Sequence, residues 1–187
     1  MKIELTASYH LRIVCAMDTV SSPSPRHVTD VDWKQWEPTD RAVLCFLRTE
    51  TQILLIHKKR GLGKGKINGP GGRIDPGETA LEAAIRETEE EVGLTPHDPV
   101  DIGTLSFLFA DGYGIHVHVF FGRHWSGTLC ETDEAAPFWC DIAKIPYDQM
   151  WADDRYWLPT ALEGGRFTGQ FLFDGDRMVD HALTVMR

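Results

Sequence analysis

The stretch Gly72 to Leu94, GRIDPGETALEAAIRETEEEVGL, decides the fold around it because it carries its own helix start and stop signals. Thr79 is followed three residues later by Glu82, which is the spacing of a capping box. Gly93 is the expected end of the helix, since glycine readily adopts the left-handed conformation of a C-terminal cap. These signals predict a helix over roughly residues 80 to 92.

The predicted helix has one apolar stripe with glutamates along its borders. At about 100° per residue, five side chains fall on this stripe and are expected to face the core: Leu81, Ala84, Ile85, Thr88 and Val92. Glu87 and Glu91 lie one turn apart along one border, and Glu90 lies further round the same side. Glu82 and Glu89 lie across the other border, where we expect them to be solvated.

The spacing of the border glutamates favours a metal site. Glu87, Glu90 and Glu91 can converge on a hard cation, which prefers oxygen ligands. Like charges at this spacing repel one another, so a bound ion explains the cluster more easily. The alternative is an ordinary surface helix whose glutamates serve solubility. In the context of the loops on either side, the layout predicts a site for Mg²⁺ and a diphosphate.

The stretch resembles the Nudix box, GX5EX7REUXEEXGU, in which U is a bulky aliphatic residue. Thr88 at the first U position is the one departure, and its place on the apolar stripe makes a β-branched residue acceptable there. The resemblance implies an α/β fold, a Nudix-type α/β/α sandwich with a mixed central sheet. The matching positions are Gly72, Glu78, Arg86, Glu87, Glu90, Glu91, Gly93 and Leu94.

The resemblance also implies roles for individual residues. Arg86 is expected to orient Glu78, and Lys58 to stabilise charge on the phosphates. Either Glu91 or Glu90 is expected to be the general base, and the sequence does not choose between them. The implied cofactor is Mg²⁺, with Mn²⁺ as the alternative ion. The implied metal ligands are the Gly71 carbonyl, Glu87, Glu90, Glu91 and, from a match late in the chain, Glu134.

Composition is that of one globular enzyme domain. The chain has 187 residues, of which 42% are hydrophobic and 25% charged. We expect an N-terminal extension of unknown role over residues 1–38 and a Nudix hydrolase domain over residues 39–187. The four cysteines lack CxxC spacing and are expected to be reduced core residues. No stretch resembles a membrane span or a good signal peptide, so we expect a cytoplasmic protein.

Charge is distributed unevenly along the chain. The net charge of −9 argues against binding to nucleic acid, and we expect neither a nucleic-acid nor a membrane partner. The expected ligand is a small-molecule nucleoside triphosphate, and the expected state is a monomer or small homo-oligomer. A glycine-rich basic stretch before the box could meet phosphates, although an ordinary basic surface loop is the alternative. Its cations are Lys58, Lys59, Arg60, Lys64, Lys66 and Arg73.

Periodicity predicts the remaining elements. The predicted strands lie at about residues 11–17, 42–47, 53–56, 102–109, 115–123, 167–173 and 178–185, with a second helix at about 156–163. Residues 42–47 and 53–56 are predicted to pair as a hairpin.

Residues outside the box resemble the Nudix subgroup of oxidised purine nucleoside triphosphatases. The resemblance rests on Lys58 to Gly61, Asn68-Gly69 and Met150 to Trp157, and it extends from about residue 41 to about residue 183. It implies that Asn68 binds the base, Trp151 stacks on it, and Asp153 and Asp154 read its edge. Two positions depart from the subgroup, which often has an aromatic residue where Leu62 stands and proline where Ala152 stands.

The chemistry of these residues suits a purine. An indole offers a flat stacking surface, and neighbouring carboxylates can accept from guanine N1–H and its amino group. If Asp153 and Asp154 are buried together, one pKa is raised, so one carboxyl can donate while the other accepts. The alternative is a core tryptophan beside a capping or surface aspartate pair.

These features predict a Mg²⁺-dependent hydrolase that cleaves oxidised purine nucleoside triphosphates, such as 8-oxo-dGTP or 2-oxo-dATP, to the monophosphate and pyrophosphate. One alternative is a Nudix hydrolase for ADP-ribose, a dinucleoside polyphosphate or a modified pyrimidine triphosphate, which would need a different base pocket. The other is a catalytically silent nucleotide- or protein-binding module, which would be expected to have lost box glutamates that are all present here.

Overall fold

The computed structural model describes residues 24–186, which form ten strands, two α-helices and three short 3-10 helices. The predicted strand at residues 11–17 lies outside the described residues. The helices are α1 (Ala80–Val92) and α2 (Asp154–Leu162). The strands are β1 (Asp40–Leu47), β2 (Gln52–Lys58), β3 (Ile67–Asn68), β4 (Leu94–His97), β5 (Val100–Phe109), β6 (Gly114–Gly122), β7 (His124–Gly127), β8 (Ala135–Asp141), β9 (Arg166–Asp174) and β10 (Arg177–Met186).

The largest sheet is mixed, as predicted. Its five strands run in the order β1-β6-β5-β9-β10. The β1–β6 and β5–β9 pairs are parallel, whereas β5–β6 and β9–β10 are antiparallel. A second sheet has the order β3-β2-β8, and β4 pairs with β7. The three 3-10 helices are Val28–Asp30, Ile142–Lys144 and Tyr147–Gln149.

The predicted hairpin of residues 42–47 and 53–56 is wrong. Both segments are strands, but β1 pairs in parallel with β6 and β2 pairs with β3 and β8. The pairing at their connection is an isolated antiparallel β-bridge between Arg48 and Ile53. Both strands are apolar on both faces, and a short connection between such strands does not reveal whether they pair or diverge into two sheets.

The two helices cover opposite faces of β1, which gives the predicted α/β/α layering. Val43 and Cys45 pack in one core cluster with Ala84 of α1. Phe46, the next residue along the strand, points to the other cluster, where its ring centroid lies 5.8 Å from that of Trp157 in α2. Alternation along one strand therefore contributes to both cores.

Helix α1 has the predicted ends, and of the five residues predicted to face the core, Ala84, Thr88 and Val92 are buried. Thr79 and Glu82 form the capping box, and Gly93 closes the helix at φ 73°. Thr88 is fully buried and its hydroxyl donates to the Ala84 carbonyl, so the departure from the box motif is accommodated inside the core. Leu81, predicted to face the core, is 45% exposed.

The helix is rotated about its axis so that Ala83 and Glu91 are buried in place of Leu81. The rotation is tolerated because Glu91 is neutralised by a lysine and a backbone N–H, which are described below. The apolar periodicity of a helix does not predict that a glutamate is buried, since unpaired carboxylates are rarely buried.

The cysteine prediction holds for two of the three cysteines in the described part, all of which are free. Cys45 and Cys140 are buried, whereas Cys130 is exposed and is not a core residue. Among residues 24–186, no helix combines the length and apolar character needed to cross a membrane.

Candidate active site

A cavity of about 570 Å³ opens between the box and the start of α2. Most of the residues predicted for the site line it, although they come from six separate segments of the chain. They are Lys58, Leu62, Asn68, Gly71, Glu87, Glu91, Glu134, Trp151, Asp153 and Asp154. Three other predicted residues, Glu78, Arg86 and Glu90, lie outside it, in a shallow depression on the outer side of α1.

Glu91 is the most firmly held carboxylate at the box end of the cavity. It is 2% exposed. Its Oε1 accepts from Lys58 Nζ at 3.0 Å, and its Oε2 accepts from the Gly71 backbone N–H at 2.9 Å. One helix residue therefore fixes both the basic stretch and the loop before the box.

Glu87 lies one turn before Glu91 and also lines the cavity. Its carboxylate packs against Gly72, where an added Cβ would come within 2.3 Å of Oε2, so a larger residue would force the carboxylate to move. Burial raises the pKa of Glu87, Arg86 opposes that rise, and the neighbouring Glu91 adds to it. The carboxylate is thus short of positive charge, which favours a cation as its further partner.

Arg86 joins the glutamates of the outer side. Its guanidinium binds both oxygens of Glu78 at 2.8 Å and donates to Glu87 at 2.8 Å and to Glu90 at 3.1 Å. It also donates to the Arg73 carbonyl, so it ties the loop to the helix. The hydrogen bonds from Arg86 lower the pKa of Glu78 to about 2. Such a bidentate fork is rigid and directional.

The five predicted metal-ligating groups are not equally close to one another. Glu90 is paired with Arg86 with its side chain 61% exposed, and Glu134 is paired with Arg60 at 2.7 Å with its side chain 53% exposed. Within residues 24–186, no group of three acidic, histidine or cysteine side chains is already gathered as a metal cluster. Glu87 and Glu91 are the acidic residues of α1 that reach the cavity.

The backbone beside these glutamates supplies a further oxygen. The carbonyls on either side of Gly71, those of Pro70 and Gly72, accept from the N–H groups of Cys45 and Val43 in β1. Among the described residues, the Gly71 carbonyl accepts no hydrogen bond. Two carboxylates and a carbonyl with its lone pairs free form a donor set suited to a hard divalent cation.

At the other end of the cavity, Asp153 and Asp154 are each 2% exposed. The indole N–H of Trp157 donates to Asp153 Oδ2 at 2.9 Å, but Asp153 Oδ1 and Asp154 Oδ2 have no hydrogen-bond partner among the described residues. Burial raises the pKa of Asp153 to about 6, and burial together with the charge of Asp153 raises that of Asp154 well above its ordinary value.

Helix α2 begins at Asp154 rather than at the predicted Tyr156, which places one member of the pair in the first turn. The two oxygens without partners belong to residues that line the cavity. A buried polar atom without a partner costs free energy, and a ligand that satisfies it recovers that cost.

Trp151 lines the cavity above the aspartates and is held from several directions. The rings of Phe109 and Phe173 meet it edge-on, with centroids 6.2 and 5.5 Å away. Lys66 Nζ lies 4.8 Å from its ring centroid. An added Cβ at Gly63 would lie 2.8 Å from the indole nitrogen. The indole is therefore fixed before any ligand arrives.

Sequence reasoning missed the aromatic wall that faces Trp151. Phe107, Phe109, Tyr113 and Phe173 line the cavity. A signal was present, because Leu105, Phe107 and Phe109 occupy every second position of a predicted strand and all line the cavity. What the alternation does not reveal is which face of the strand binds a ligand and which face is merely core.

Asn68 and Leu62 occupy the approach to this wall. Asn68 lines the cavity and its Oδ1 accepts from the Gly69 N–H at 2.8 Å, so its amide nitrogen is the group left to donate to a ligand. Leu62, which stands where an aromatic residue is frequent in the resembled subgroup, is 47% exposed at the rim. The aromatic lining near Trp151 therefore comes from Phe107 and Phe109 rather than from residue 62.

The comparisons with known proteins agree with this geometry. A NUDIX domain model matches residues 38–161. The oxidized purine nucleoside triphosphate hydrolase of Danio rerio is 46% identical over 134 residues, which cover 71% of this chain and 86% of that protein. The protein of the same name from Mus musculus is 39% identical over 142 residues, covering 75% of this chain and 91% of that one.

Among solved structures, the mutator MutT protein of Bacillus halodurans superposes with a TM-score of 0.70 at 26% identity, covering 77% of this chain and 97% of that one. A MutT Nudix hydrolase from Burkholderia pseudomallei gives a TM-score of 0.59, also at 26% identity, with 68% and 98% coverage. The family match begins at residue 38 and ends at residue 161.

Proposed function

The chain belongs to the Nudix hydrolase family, and on this premise we propose that it cleaves oxidised purine nucleoside triphosphates to the monophosphate and pyrophosphate. The substrates would be free nucleotides such as 8-oxo-dGTP or 2-oxo-dATP. Acting in the cytoplasm, the enzyme would remove damaged bases before a polymerase could incorporate them. The names of the relatives from Danio rerio and Mus musculus support this substrate class.

The observation that carries the proposal is the buried aspartate pair. Asp153 Oδ1 and Asp154 Oδ2 lack partners, and both residues line the cavity beside Trp151. With raised pKa values, the pair holds a shared proton near neutral pH, so one carboxyl donates and the other accepts. A purine with an added oxo group offers matching acceptors and N–H donors along one edge.

The box end of the cavity supports a phosphate site with a metal ion. Nudix hydrolases generally use a divalent ion, and the residues present fit one. Mg²⁺ would be held by Glu87, Glu91 and the Gly71 carbonyl, with Glu90 and Glu134 completing the set and Mn²⁺ as the alternative. When bound, the ion neutralises phosphate charge and lowers the pKa of a coordinated water.

The chain's own residues would position the reacting groups. Lys58 Nζ lies 3.0 Å from Glu91 and lines the cavity, so it would place positive charge beside the phosphates. Either Glu91 or Glu90 would take the proton from the attacking water. Glu91 has the advantage of lining the cavity, whereas Glu90 must first leave Arg86.

A substrate panel tests the proposal. Pyrophosphate release would be measured with oxidised, methylated and unmodified purine and pyrimidine nucleoside triphosphates, together with ADP-ribose and a dinucleoside polyphosphate. We expect the highest kcat/KM for an oxidised purine triphosphate and loss of turnover after removal of divalent ions, restored by Mg²⁺. A higher kcat/KM for ADP-ribose or for an unmodified pyrimidine nucleotide would overturn the assignment.

A further inference from the structure

The segment that leads into β1, and that overlaps the family match from residue 38, is folded against the main sheet. We call residues 24–40 the N-terminal strap. The Val28 N–H donates to Asp180 Oδ2 of β10 at 2.8 Å, and Ser24 Oγ donates to the Ala110 carbonyl at 3.1 Å. Trp33 Nε1 donates to the Val28 carbonyl, and its ring meets that of Trp36 edge-on with centroids 5.2 Å apart. The strap is thus ordered by specific contacts.

The far end of the strap holds the turn between β5 and β6, residues 110–113. An added Cβ at Gly114, the first residue of β6, would lie 2.7 Å from the Trp36 ring, so the indole packs directly on that glycine. The Gly114 N–H donates to Thr39 Oγ1 at 3.2 Å. The hydroxyl of Tyr113 donates to Asp40 Oδ2 at 2.7 Å.

This turn carries part of the cavity wall. Phe109 precedes the turn and Tyr113 is its last residue, and the Phe109 N–H donates to the Tyr113 carbonyl at 2.9 Å. Both side chains line the cavity, and Phe109 meets Trp151 edge-on. The tip itself, Asp111 and Gly112, is exposed. The turn has hydrogen bonds of its own, from the Gly112 N–H to the Phe109 carbonyl and from the Tyr113 N–H to Asp111 Oδ1, and the strap adds the contacts that hold it from outside.

The strap also reaches the box. Asp40 pairs with Arg73 at 2.9 Å while it accepts from Tyr113. The Arg73 carbonyl in turn accepts from Arg86, which binds Glu78 and Glu87. Asp40 therefore links the aromatic wall at the base end to the loop at the phosphate end.

We infer that the N-terminal strap sets the base selectivity of the cavity, with Trp36 and Asp40 as positioning residues for the wall formed by Phe109 and Tyr113. This rests on the proposed function in taking the cavity to bind a nucleoside triphosphate. Phe109 also packs edge-on against Trp151, so a displacement of the wall by even a fraction of an ångström changes the shape of the cavity that both rings line, and small misplacements of bound groups are costly.

A double-mutant cycle between Gly114 and Trp36 tests the inference. Gly114→Ala places a methyl group into the Trp36 ring and should push the turn away. We expect KM for the preferred nucleoside triphosphate to rise about tenfold, with kcat within about twofold and with a changed ratio of kcat/KM between oxidised and unmodified purines. In the Trp36→Ala background the clash is gone, so adding Gly114→Ala should change KM less than about twofold.

Equal effects of Gly114→Ala in the two backgrounds would overturn the inference, as would a fall in thermal stability with unchanged KM and base ratio. If the Gly114→Ala variant does not fold, two less disruptive substitutions test the same inference. Tyr113→Phe removes only the hydroxyl that binds Asp40 and should raise KM about two- to tenfold, whereas Tyr156→Phe, on the exposed side of α2, should not. Unchanged KM in Tyr113→Phe contradicts the role of Asp40.

The readout separates this inference from the proposed function. If the wild-type enzyme prefers a nucleotide other than an oxidised purine, the proposed substrate class fails. The coupling between Trp36 and Gly114 would then still be measured on KM for the preferred nucleotide, and its presence or absence decides the strap's role.

Discussion

The two acidic pairs of the cavity, Glu87 with Glu91 and Asp153 with Asp154, differ in what neutralises them. The glutamates are met by cations, because Lys58 binds Glu91 and Arg86 binds Glu87. The aspartates have the indole N–H of Trp157 on one oxygen, and two of their oxygens have no partner among residues 24–186. Cations bind the glutamate pair, whereas burial raises the pKa of both aspartates.

This difference assigns the two ends of the cavity to different tasks. A charged pair beside a lysine suits a metal ion and phosphates, whose charges are the same for every nucleotide. A pair of carboxyls that shares one proton suits the donors and acceptors of a base, which vary between nucleotides. Changes at the glutamates should therefore lower turnover for all substrates alike, and changes at the aspartates should alter the ranking of substrates.

The largest effect is expected at the glutamates. Glu91→Gln keeps an acceptor for the Gly71 N–H but removes the charge beside Lys58. We expect kcat to fall by about 10²- to 10⁴-fold for every substrate, since a general base or a charged metal ligand is lost. Steady-state kinetics on an oxidised and an unmodified purine triphosphate would measure it.

Glu89→Gln is the matched control, because Glu89 is on the same helix but exposed. It should leave kcat unchanged. Near-normal turnover in Glu91→Gln, with circular dichroism showing a folded protein, would remove Glu91 from the reaction. A fall for one base only would contradict the division of tasks.

The next effect is expected at the aspartates. Asp154→Asn preserves the size of the side chain, but its amide nitrogen can only donate and its amide oxygen can only accept. Residue 154 can therefore no longer gain or lose a proton. We expect the ratio of kcat/KM between 8-oxo-dGTP and 2-oxo-dATP to change by about tenfold or more, because a buried hydrogen bond to a charged group is altered. The metal dependence should be unaffected.

Asp148→Asn serves as the control for this change, since the side chain of Asp148 is 96% exposed and pairs with Arg155 on the surface. Its kinetics should match those of the wild type. If Asp154→Asn left the kinetics of both oxidised nucleotides unchanged, the proposed reading of the base would have to be given up.

The free energy of unfolding should depend on pH because the two aspartates have raised pKa values in the folded protein. The pKa of Asp153 is raised by burial from 3.8 to about 6, and that of Asp154 is raised as well. Above pH 3.8 the unfolded protein loses protons that the folded protein keeps, so the free energy of unfolding falls as pH rises through the folded pKa values. For one proton the slope is at most about 1.4 kcal/mol per pH unit.

A variant carrying both Asp153→Asn and Asp154→Asn lacks this slope. Its stability relative to the wild type, from chemical denaturation, should therefore increase between about pH 4 and pH 7. Glu78, whose pKa is lowered to about 2 by Arg86, contributes stability in the opposite direction and mainly below pH 4.5, and it is the same in both proteins. Parallel pH curves for the two proteins would show that the pair stays ionised.

How far these regions could be predicted depends on how local their signals are. The ends of α1 follow from Thr79, Glu82 and Gly93, all within one segment, and the structure has them as predicted. The buried face of α1 was predicted correctly at Ala84, Thr88 and Val92 but not at Glu91, whose burial depends on Lys58 of β2. A helical wheel contains no information about that partner.

The base end depended on resemblance and on long-range packing. The adjacency of Asp153 and Asp154 is visible in the sequence, but their lack of partners is not. Phe109 and Phe173 meet at Trp151 only because β5 pairs in parallel with β9. Parallel pairing joins distant strands, and no local turn signal announces it.

The smallest effect is expected behind Trp151, where a cation meets the indole. Lys66 Nζ lies 4.8 Å from the ring centroid and pairs with Asp176 at 2.9 Å, yet Lys66 does not line the cavity, so it supports the ring from the side away from the ligand. Lys66→Met keeps much of the packing and removes the charge. A cation–π contact contributes about 0.5–1 kcal/mol at such sites, so KM should rise about two- to fivefold with kcat unchanged.

Lys64→Met, at an exposed position two residues earlier, controls for the loss of one positive charge near the phosphates. It should raise KM for all nucleotides less than Lys66→Met does. If the two variants behave alike, Lys66 acts only through long-range charge. If Lys66→Met weakens purines but not pyrimidines, its support of the Trp151 ring belongs to base recognition, because the larger base depends more on a fixed stacking surface.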